Sequence, residues 1–457
     1  MQSEAITYER LRAALTGRVI GPDDQDYDEA RTIFYGGFDR SPAAIARVAD
    51  ANDVARAVRF AAETGTELAV RSGGHSVAGH GSTDGGIVLD LAEMKALELE
   101  GDGHAAWAET GLTAGEYSAA AGEHGLATGF GDTASVGIGG ITLSGGVGLL
   151  VRRFGLTIDD LLAAEIVTAD GELLRIDERT DPDLFWAIRG GGGNFGVVTR
   201  FRFRFHELPS VVGGILILPA TPDVVASFVE AAVDAPEELS TIANVLPAPP
   251  MPFVPQEHHS KLVVMALMAF AGETEAGQRA IAPFRSLATP IADMVRPMLY
   301  PEIYPPDQPG FHPIATSRTM FVDEIDRSGI ETMLERLETS TAMMRAVQIR
   351  VLGGAMARVP ADATAFAHRD RRFMVNVAAM YERLEEHEAY APWVADLAAQ
   401  LQRGPMGAYV GFLGDEGAAR VHDAYPKPTW DRLAEVKARY DPRNLFRLNQ
   451  NVRPADS

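Results

Sequence analysis

The 457-residue chain contains no cysteine. That excludes disulfides, a thiolate nucleophile, and zinc or iron–sulfur centres held by cysteine. Basic residues are few: 41 Lys and Arg stand against 63 Asp and Glu, a formal net charge of −22. A field of that sign repels phosphate backbones and anionic headgroups, so neither nucleic acid nor a membrane surface is expected as a partner. The charge reads most simply as a solubilising surface and identifies no substrate. No apolar run reaches the roughly 18 residues of a membrane span. Met1-Gln2-Ser3-Glu4-Ala5 lacks the basic and apolar regions of a signal peptide, so a cytoplasmic location is the expectation. Internal repeats and low-complexity tracts are missing. So are the P-loop and the G-x-S-x-G elbow of many hydrolases. No metal-binding pair stands out: His258 and His259 are adjacent, and on a strand they would face opposite sides.

What the chain does have is apolar material (46% of residues), enough for the two or three domains that roughly 150 residues per domain allows. Residues 1–40 are polar with a helical pattern. Residues 45–48 read as a strand, 52–64 as a helix with Asp53 in its first turn, and 67–70 as a strand, an α/β alternation. From about 71 to 206 the chain is glycine-rich, with a strand over 87–91 and a helix-to-strand passage over 161–168. Val197, Thr199, Phe201, Phe203 and Phe205 alternate with Val198, Arg200, Arg202 and Arg204, which predicts a strand with one apolar and one basic face. Pro209 marks a boundary. Beyond it, strands are predicted over 214–218, 261–269, 347–352 and 373–380, with helices over 222–233, 273–287, 330–344 and 387–401. Four strands with helices between them suggest an antiparallel sheet covered by helices on one face. The proline-rich stretches 247–252 and 305–310 read as surface loops. A last helix is predicted over 431–439.

Three glycine-rich stretches carry the chemistry. Arg71-Ser72-Gly73-Gly74-His75-Ser76 directly follows a strand. Its glycines allow positive φ and can turn several N–H groups towards one anion such as a pyrophosphate. Read alone, His75 is equally an ordinary structural histidine in a turn. The second stretch, residues 129–148, holds Ser135-Val136-Gly137-Ile138-Gly139-Gly140 and then Thr142, Gly145 and Gly148. So much glycine weakens both helix and strand, and a backbone wrapped closely on a ligand explains it better. The interleaved Val136, Ile138, Ile141, Leu143 and Val147 argue for a packed segment rather than a flexible loop. In the third, Gly191, Gly193 and Gly196 fit the G-x-G-x-x-G pattern. A dinucleotide fold needs a strand before that pattern and a helix after it. Here a strand follows, so a Rossmann NAD site is rejected.

Together these stretches, with Tyr440-Asp441-Pro442 and Asn449-Gln450-Asn451 near the end, resemble the FAD-linked oxidases of the berberine-bridge-enzyme and 6-hydroxy-D-nicotine-oxidase kind, in the vanillyl-alcohol-oxidase superfamily. The resemblance runs from about residue 20 to 452. Pro290-Ile291-Ala292-Asp293 with Tyr300 resembles a further motif of bacterial members. The resemblance implies an α+β fold: a two-part PCMH-type FAD-binding domain (36–207 and 408–457) with an inserted α+β substrate domain (208–407), after an N-terminal helical segment (1–35). It implies FAD bound covalently through His75, in a site formed by Arg71, Ser72, Gly73, Gly74, His75, Ser76, Gly79, His80, Ser135, Val136, Gly137, Gly139, Gly140, Thr142, Gly145, Gly148, Val198, Asn449 and Asn451. Some members carry a second link through a Cys; Thr133 occupies that position, so a single histidyl bond is expected. The catalytic Tyr, on a C-terminal strand in a Tyr-x-Asn-Tyr or Tyr-x-Asn-Phe pattern, matches Tyr409. Gly411 departs from that pattern, and Phe412 stands where the second Tyr of the Tyr-x-Asn-Tyr form occurs; a core aromatic is the other reading of Tyr409.

The implied reaction is hydride transfer from an alcohol, sugar, amine or polycyclic secondary metabolite to the flavin, with Tyr409 as base and O2 reoxidising the flavin to give H2O2. A phenol of ordinary pKa about 10 would need a nearby cation. A flavin dehydrogenase or oxygenase that makes no peroxide is the alternative, as is a flavin-scaffold protein that binds a ligand without turnover.

Overall fold

The computed structural model describes residues 8–101, 103–305 and 310–455. Met1–Ala5, read for targeting, and part of the 305–310 loop lie outside the described residues. The first sheet sets Ala44–Arg47, Ile87–Asp90 and Leu68–Arg71 in parallel. Parallel neighbours need a crossover, and the helix Ala51–Thr64 supplies one. Asp50 caps its start by accepting from Asp53 N, and Gly65, at φ +68, ends it. An edge strand, Arg18–Ile20, pairs antiparallel with Ala44–Arg47. It corrects the all-helical expectation for the N-terminal segment, because three residues are too few to show a period. The buried Asp53 carboxylate fixes its approach by accepting from Thr16 N and Gly17 N at 2.8 and 2.7 Å.

The second sheet is antiparallel, in the order Leu97–Leu99, Ala105–Glu109, Val197–Arg204, Leu161–Val167, Leu173–Ile176. The alternating segment is its central strand, with Phe201 and Phe203 fully buried. Its basic face is spoken for within the sheet. Arg200 forks onto Glu165 at 2.7 and 2.8 Å, and Arg202 onto Glu100 at 2.6 Å twice. Leu161–Val167 is strand throughout, not helix-to-strand; the helical character is confined to the short turn Thr157–Asp159 before it. Pairing with the central strand overrides the Leu and Ala content of that segment.

The third sheet has eight strands. Its order is Ala292–Asp293, Val211–Pro219, Leu262–Phe270, Leu239–Pro247, Met344–Val351, Phe373–Tyr381, Ile314–Val322, with Arg296–Met298 also on Val211–Pro219. The four expected strands are present. Leu239–Pro247, Ile314–Val322 and the short Ala292–Asp293 and Arg296–Met298 are additional, so the four-strand expectation was too small. The helix Arg327–Thr339 stops short of the expected 344, where a strand begins instead. One face of the sheet packs Phe373, Val375, Val377 and Ala379 with Phe228, Met333 and Leu397 from the covering helices. The opposite face turns Met374 towards Val147, Phe366 and Tyr409.

The chain end returns to the glycine-rich part. In the helix Lys427–Tyr440, Lys437 is fully buried and donates to Asn194 O, Asp441 Oδ2 and Phe446 O at 2.6, 2.7 and 2.8 Å. Asn449 Nδ2 donates to Gly193 O, and Val452 N to Asn194 Oδ1. Among the described residues, no helix is long and apolar enough to cross a membrane.

Candidate functional site

Residues 72–76 leave the first sheet at the end of Leu68–Arg71. Arg71 turns inward and donates to Asp90 Oδ2 at 2.9 Å and Ala30 O at 2.7 Å, so it anchors the strand end. The glycines after it have a geometric cause. A Cβ on Gly73 would strike the Gly137 N, and one on Gly137 would strike Gly73 N and Ser72 Oγ. The first two glycine-rich stretches are therefore in backbone contact. Ser72 Oγ donates to Thr110 O at 2.5 Å, and Thr110 Oγ1 donates to Val198 O at 2.8 Å, which ties the loop to the central strand of the second sheet.

Several polar groups of the glycine stretches and of the chain end have no partner within the protein. Among the described residues, the N–H groups of Ser72, Gly73, Gly74 and Ser76 have no protein acceptor. Successive N–H groups on a glycine turn form an anion-binding concavity. Thr142 Oγ1, Asn449 Oδ1 and Asn451 Oδ1 are buried without a partner, and such groups are rare in native proteins unless something else satisfies them. Unpaired donors suit a diphosphate, and unpaired amide oxygens suit the N–H and O–H edges of a nucleotide or flavin. Gly139 lies against the Ser72 side chain, while Gly140 is exposed with nothing within 4 Å of an added Cβ. Ser135 and Val136 are half-buried beside them, and Val136 O accepts from Ala114 N at 2.8 Å.

Other expected residues have packing reasons to be what they are. Gly145, at φ +115, leaves room for the Phe366 ring; Gly148 lies against the Phe130 carbonyl; Gly79 lies under the Phe38 ring. His80 is pushed down to about 4 by burial and by the Arg40 guanidinium, so it is neutral at pH 7. His75 is half-buried, with its ring stacked on Phe34 at 4.0 Å between centroids and 20° between planes. The third glycine stretch runs from the helix Pro182–Ile188 into the strand Val197–Arg204, the reverse of the dinucleotide-fold order.

Tyr409 is not on a strand. It leads into the short turn Val410–Phe412 and is 2% exposed. Its phenol oxygen accepts from Gly146 N at 3.2 Å. Burial raises the phenol pKa; the N–H groups of Gly146 and Val147 and the charge of Arg350 lower it in part, while Asp132 raises it. Gly411 lies against the Tyr409 ring: a Cβ there would sit 2.9 Å from Tyr409 Cζ and 3.0 Å from its oxygen. Phe412 stands edge-on to Tyr409 at 5.1 Å and carries the Arg350 guanidinium 5.2 Å from its ring centre.

Arg350 is the residue that sequence reasoning missed. It is 3% exposed and donates to Asp132 Oδ2 at 2.7 Å, Val147 O at 3.2 Å and Gln348 Oε1 at 2.9 Å. Gln348 Nε2 donates to Asn244 Oδ1 at 3.0 Å. Asn376 stands opposite Gln348 in the register, with a buried and unpartnered Oδ1. The available signal was polar residues at i and i+2, Gln348 and Arg350, within the otherwise apolar run 346–352. Pro290–Asp293 lies at the sheet edge. Tyr300 is a core residue, its hydroxyl 3.4 Å from that of Tyr304.

One consequence concerns Gly73. Because its Cβ would meet backbone rather than a movable side chain, Gly73→Ala is expected to separate the two loops and yield protein with little flavin. The flavin-to-protein absorbance ratio checks this, and a full complement in the variant contradicts it.

Residues 42–177 match the family described as FAD binding domain, and residues 408–453 the one described as berberine and berberine like. The chain is 31% identical to (R)-6-hydroxynicotine oxidase of Paenarthrobacter nicotinovorans, over 97% of this chain and 98% of that one. It is 30% identical to xylooligosaccharide oxidase of Thermothelomyces thermophilus, over 91% and 88%. Among solved structures, 6-hydroxy-D-nicotine oxidase from Arthrobacter nicotinovorans superposes with a TM-score of 0.84 at 28% identity, covering 96% of this chain and 98% of that one. A xylooligosaccharide oxidase from Myceliophthora thermophila, in complex with xylobiose, gives 0.85 at 26%, covering 98% and 99%.

Proposed function

The chain belongs to the FAD-linked oxidases of the berberine-bridge-enzyme-like family, and from that premise we propose that it holds FAD by a single covalent bond to His75 and acts as an oxidase. The observation that carries the proposal is the junction around Gly73 and Gly137, where unpaired N–H groups surround the histidine loop. In this reading the FAD domain comprises 36–207 and 408–457, with 208–407 inserted as the substrate domain. Ser72, Gly73, Gly74 and Ser76 offer N–H groups to the diphosphate. Ser135 to Gly140, Thr142, Val198, Asn449 and Asn451 line the rest of the nucleotide and ring site. Thr133 carries no second bond.

When bound, FAD would supply the hydride acceptor and the route for the electrons to O2. The chain orients and manages protons. Tyr409 takes the proton from a substrate hydroxyl or amine, and the N–H of Gly146 stabilises the phenolate oxygen. Arg350 supplies the cation that a phenol base requires, and its pairing with Asp132 and Gln348 fixes its position. Gln348, Asn244 and Asn376 present a neutral amide row across three strands of the third sheet, suited to hydrogen-bonding an alcohol, sugar, amine or secondary metabolite. The relatives' names span nicotine derivatives and oligosaccharides, so both belong in the first substrate panel. The experiment is anaerobic bleaching of the flavin by that panel, followed by peroxide yield in air. One H2O2 per product formed is expected. Bleaching without peroxide would make the enzyme a dehydrogenase or oxygenase, and tight binding without bleaching a ligand-binding protein.

A further inference from the structure

His75 follows two glycines, whose own backbone does little to fix the direction of the side chain after them. Gly73 and Gly74 precede it, Gly74 at φ +71, and glycine restrains the backbone least of all residues. An imidazole that must meet one carbon atom of a cofactor needs its ring plane fixed. Phe34 lies against it, nearly parallel at 4.0 Å. Phe34 is itself held from three sides. Its N–H donates to Gly74 O at 3.3 Å, which joins it to the histidine loop. Its carbonyl lies 3.2 Å from His312 Nδ1, which is also 3.1 Å from Ile33 O. Gly36 N donates to Pro313 O at 3.0 Å. Tyr35 meets the Phe34 ring edge-on at 5.0 Å. The segment 33–36 is thus clamped between the histidine loop and the lead-in to Ile314–Val322.

We infer that Phe34 is a positioning residue for cofactor attachment: its stack holds the His75 imidazole in the plane from which a ring nitrogen reaches the flavin. This rests on the covalent bond proposed above. Attachment removes one hydrogen from the imidazole nitrogen and one from the flavin 8α-methyl carbon and joins the two atoms. The two electrons and two protons leave with O2 as H2O2. Phe34 takes no part in that exchange. It raises the fraction of time the nitrogen is correctly aimed, an orientation effect.

The test compares full-length wild type, Phe34→Leu and Phe34→Trp after a short induction. Total bound flavin is measured first, then the share that stays with the acid-precipitated protein. Phe34→Leu is expected to keep its bound flavin but lower the covalent-to-free ratio about three- to ten-fold, the scale of one aromatic stack. Phe34→Trp, which retains a stacking face, is expected to stay near wild type. A wild-type ratio in Phe34→Leu overturns the inference. So does loss of all bound flavin from both variants, which would mark a merely structural residue. No covalent flavin in the wild type itself would instead defeat the underlying attachment to His75.

Discussion

Tyr409→Phe is expected to slow flavin reduction by substrate about 10²- to 10⁴-fold, the range for removing a positioned acid or base, with flavin content unchanged. The reasoning starts from what the substitution leaves alone. The Tyr409 ring packs with Val147, Phe321, Phe366 and Met374, and a phenyl ring keeps those contacts. Only the oxygen goes, together with the hydrogen bond it accepts from Gly146. The flavin-facing glycine loops are therefore expected to remain in place, and the loss falls on proton transfer. Because burial holds the phenol above its ordinary value, the phenolate fraction is small at neutral pH, and wild-type reduction should accelerate as pH rises. The variant should lose that dependence. Stopped-flow reduction across pH reads both effects. An unchanged rate in Tyr409→Phe removes Tyr409 from the mechanism and leaves it a core aromatic.

Lys437→Met is expected to destabilise the protein by about 3–5 kcal/mol, the scale for removing one partner of a buried ion pair. Both Lys437 and Asp441 are fully inaccessible. Burial pulls the ammonium pKa down while Asp441 opposes that shift. Without the lysine, the Asp441 carboxylate keeps its bonds from Leu445 N and Phe446 N at 2.8 and 2.9 Å but loses its counter-charge. Asn194 O and Phe446 O lose their donor at the same time. Those groups pin the chain end that carries Asn449 and Asn451 onto the glycine stretch, so flavin retention should fall with the melting temperature. Replacing Lys437 and Asp441 together by apolar residues should cost less than Lys437→Met alone, because no unpaired charge remains. Thermal unfolding of the three proteins measures this, and equal costs for single and double variants contradict it.

Sequence patterns made the fold legible where one period dominated. Val197–Arg204 alternates so cleanly that its strand and its apolar face could be read directly, though not its central place in the sheet. Leu239–Pro247 and Ile314–Val322 could not. Each carries Ser, Thr, Asn or Arg among its apolar residues on both faces, which hides the two-residue period. The glycine stretches announced a close backbone approach, and the structure adds that part of it is of loop to loop, Gly73 on Gly137. Arg350 and Asp132 are 218 positions apart, a pairing that no local pattern carries. Gly411 departs from the family's pattern, and the structure sets the Tyr409 ring against it. Phe34 drew no notice in the sequence because a stack on His75 has no spacing rule.

The attachment through His75 is tested most directly by the absorption spectrum of purified protein before and after denaturation and acid precipitation. Flavin colour that stays with the wild-type pellet, and passes to the supernatant in His75→Ala, is the predicted result. Wild-type protein that releases all its flavin would contradict the covalent bond to His75.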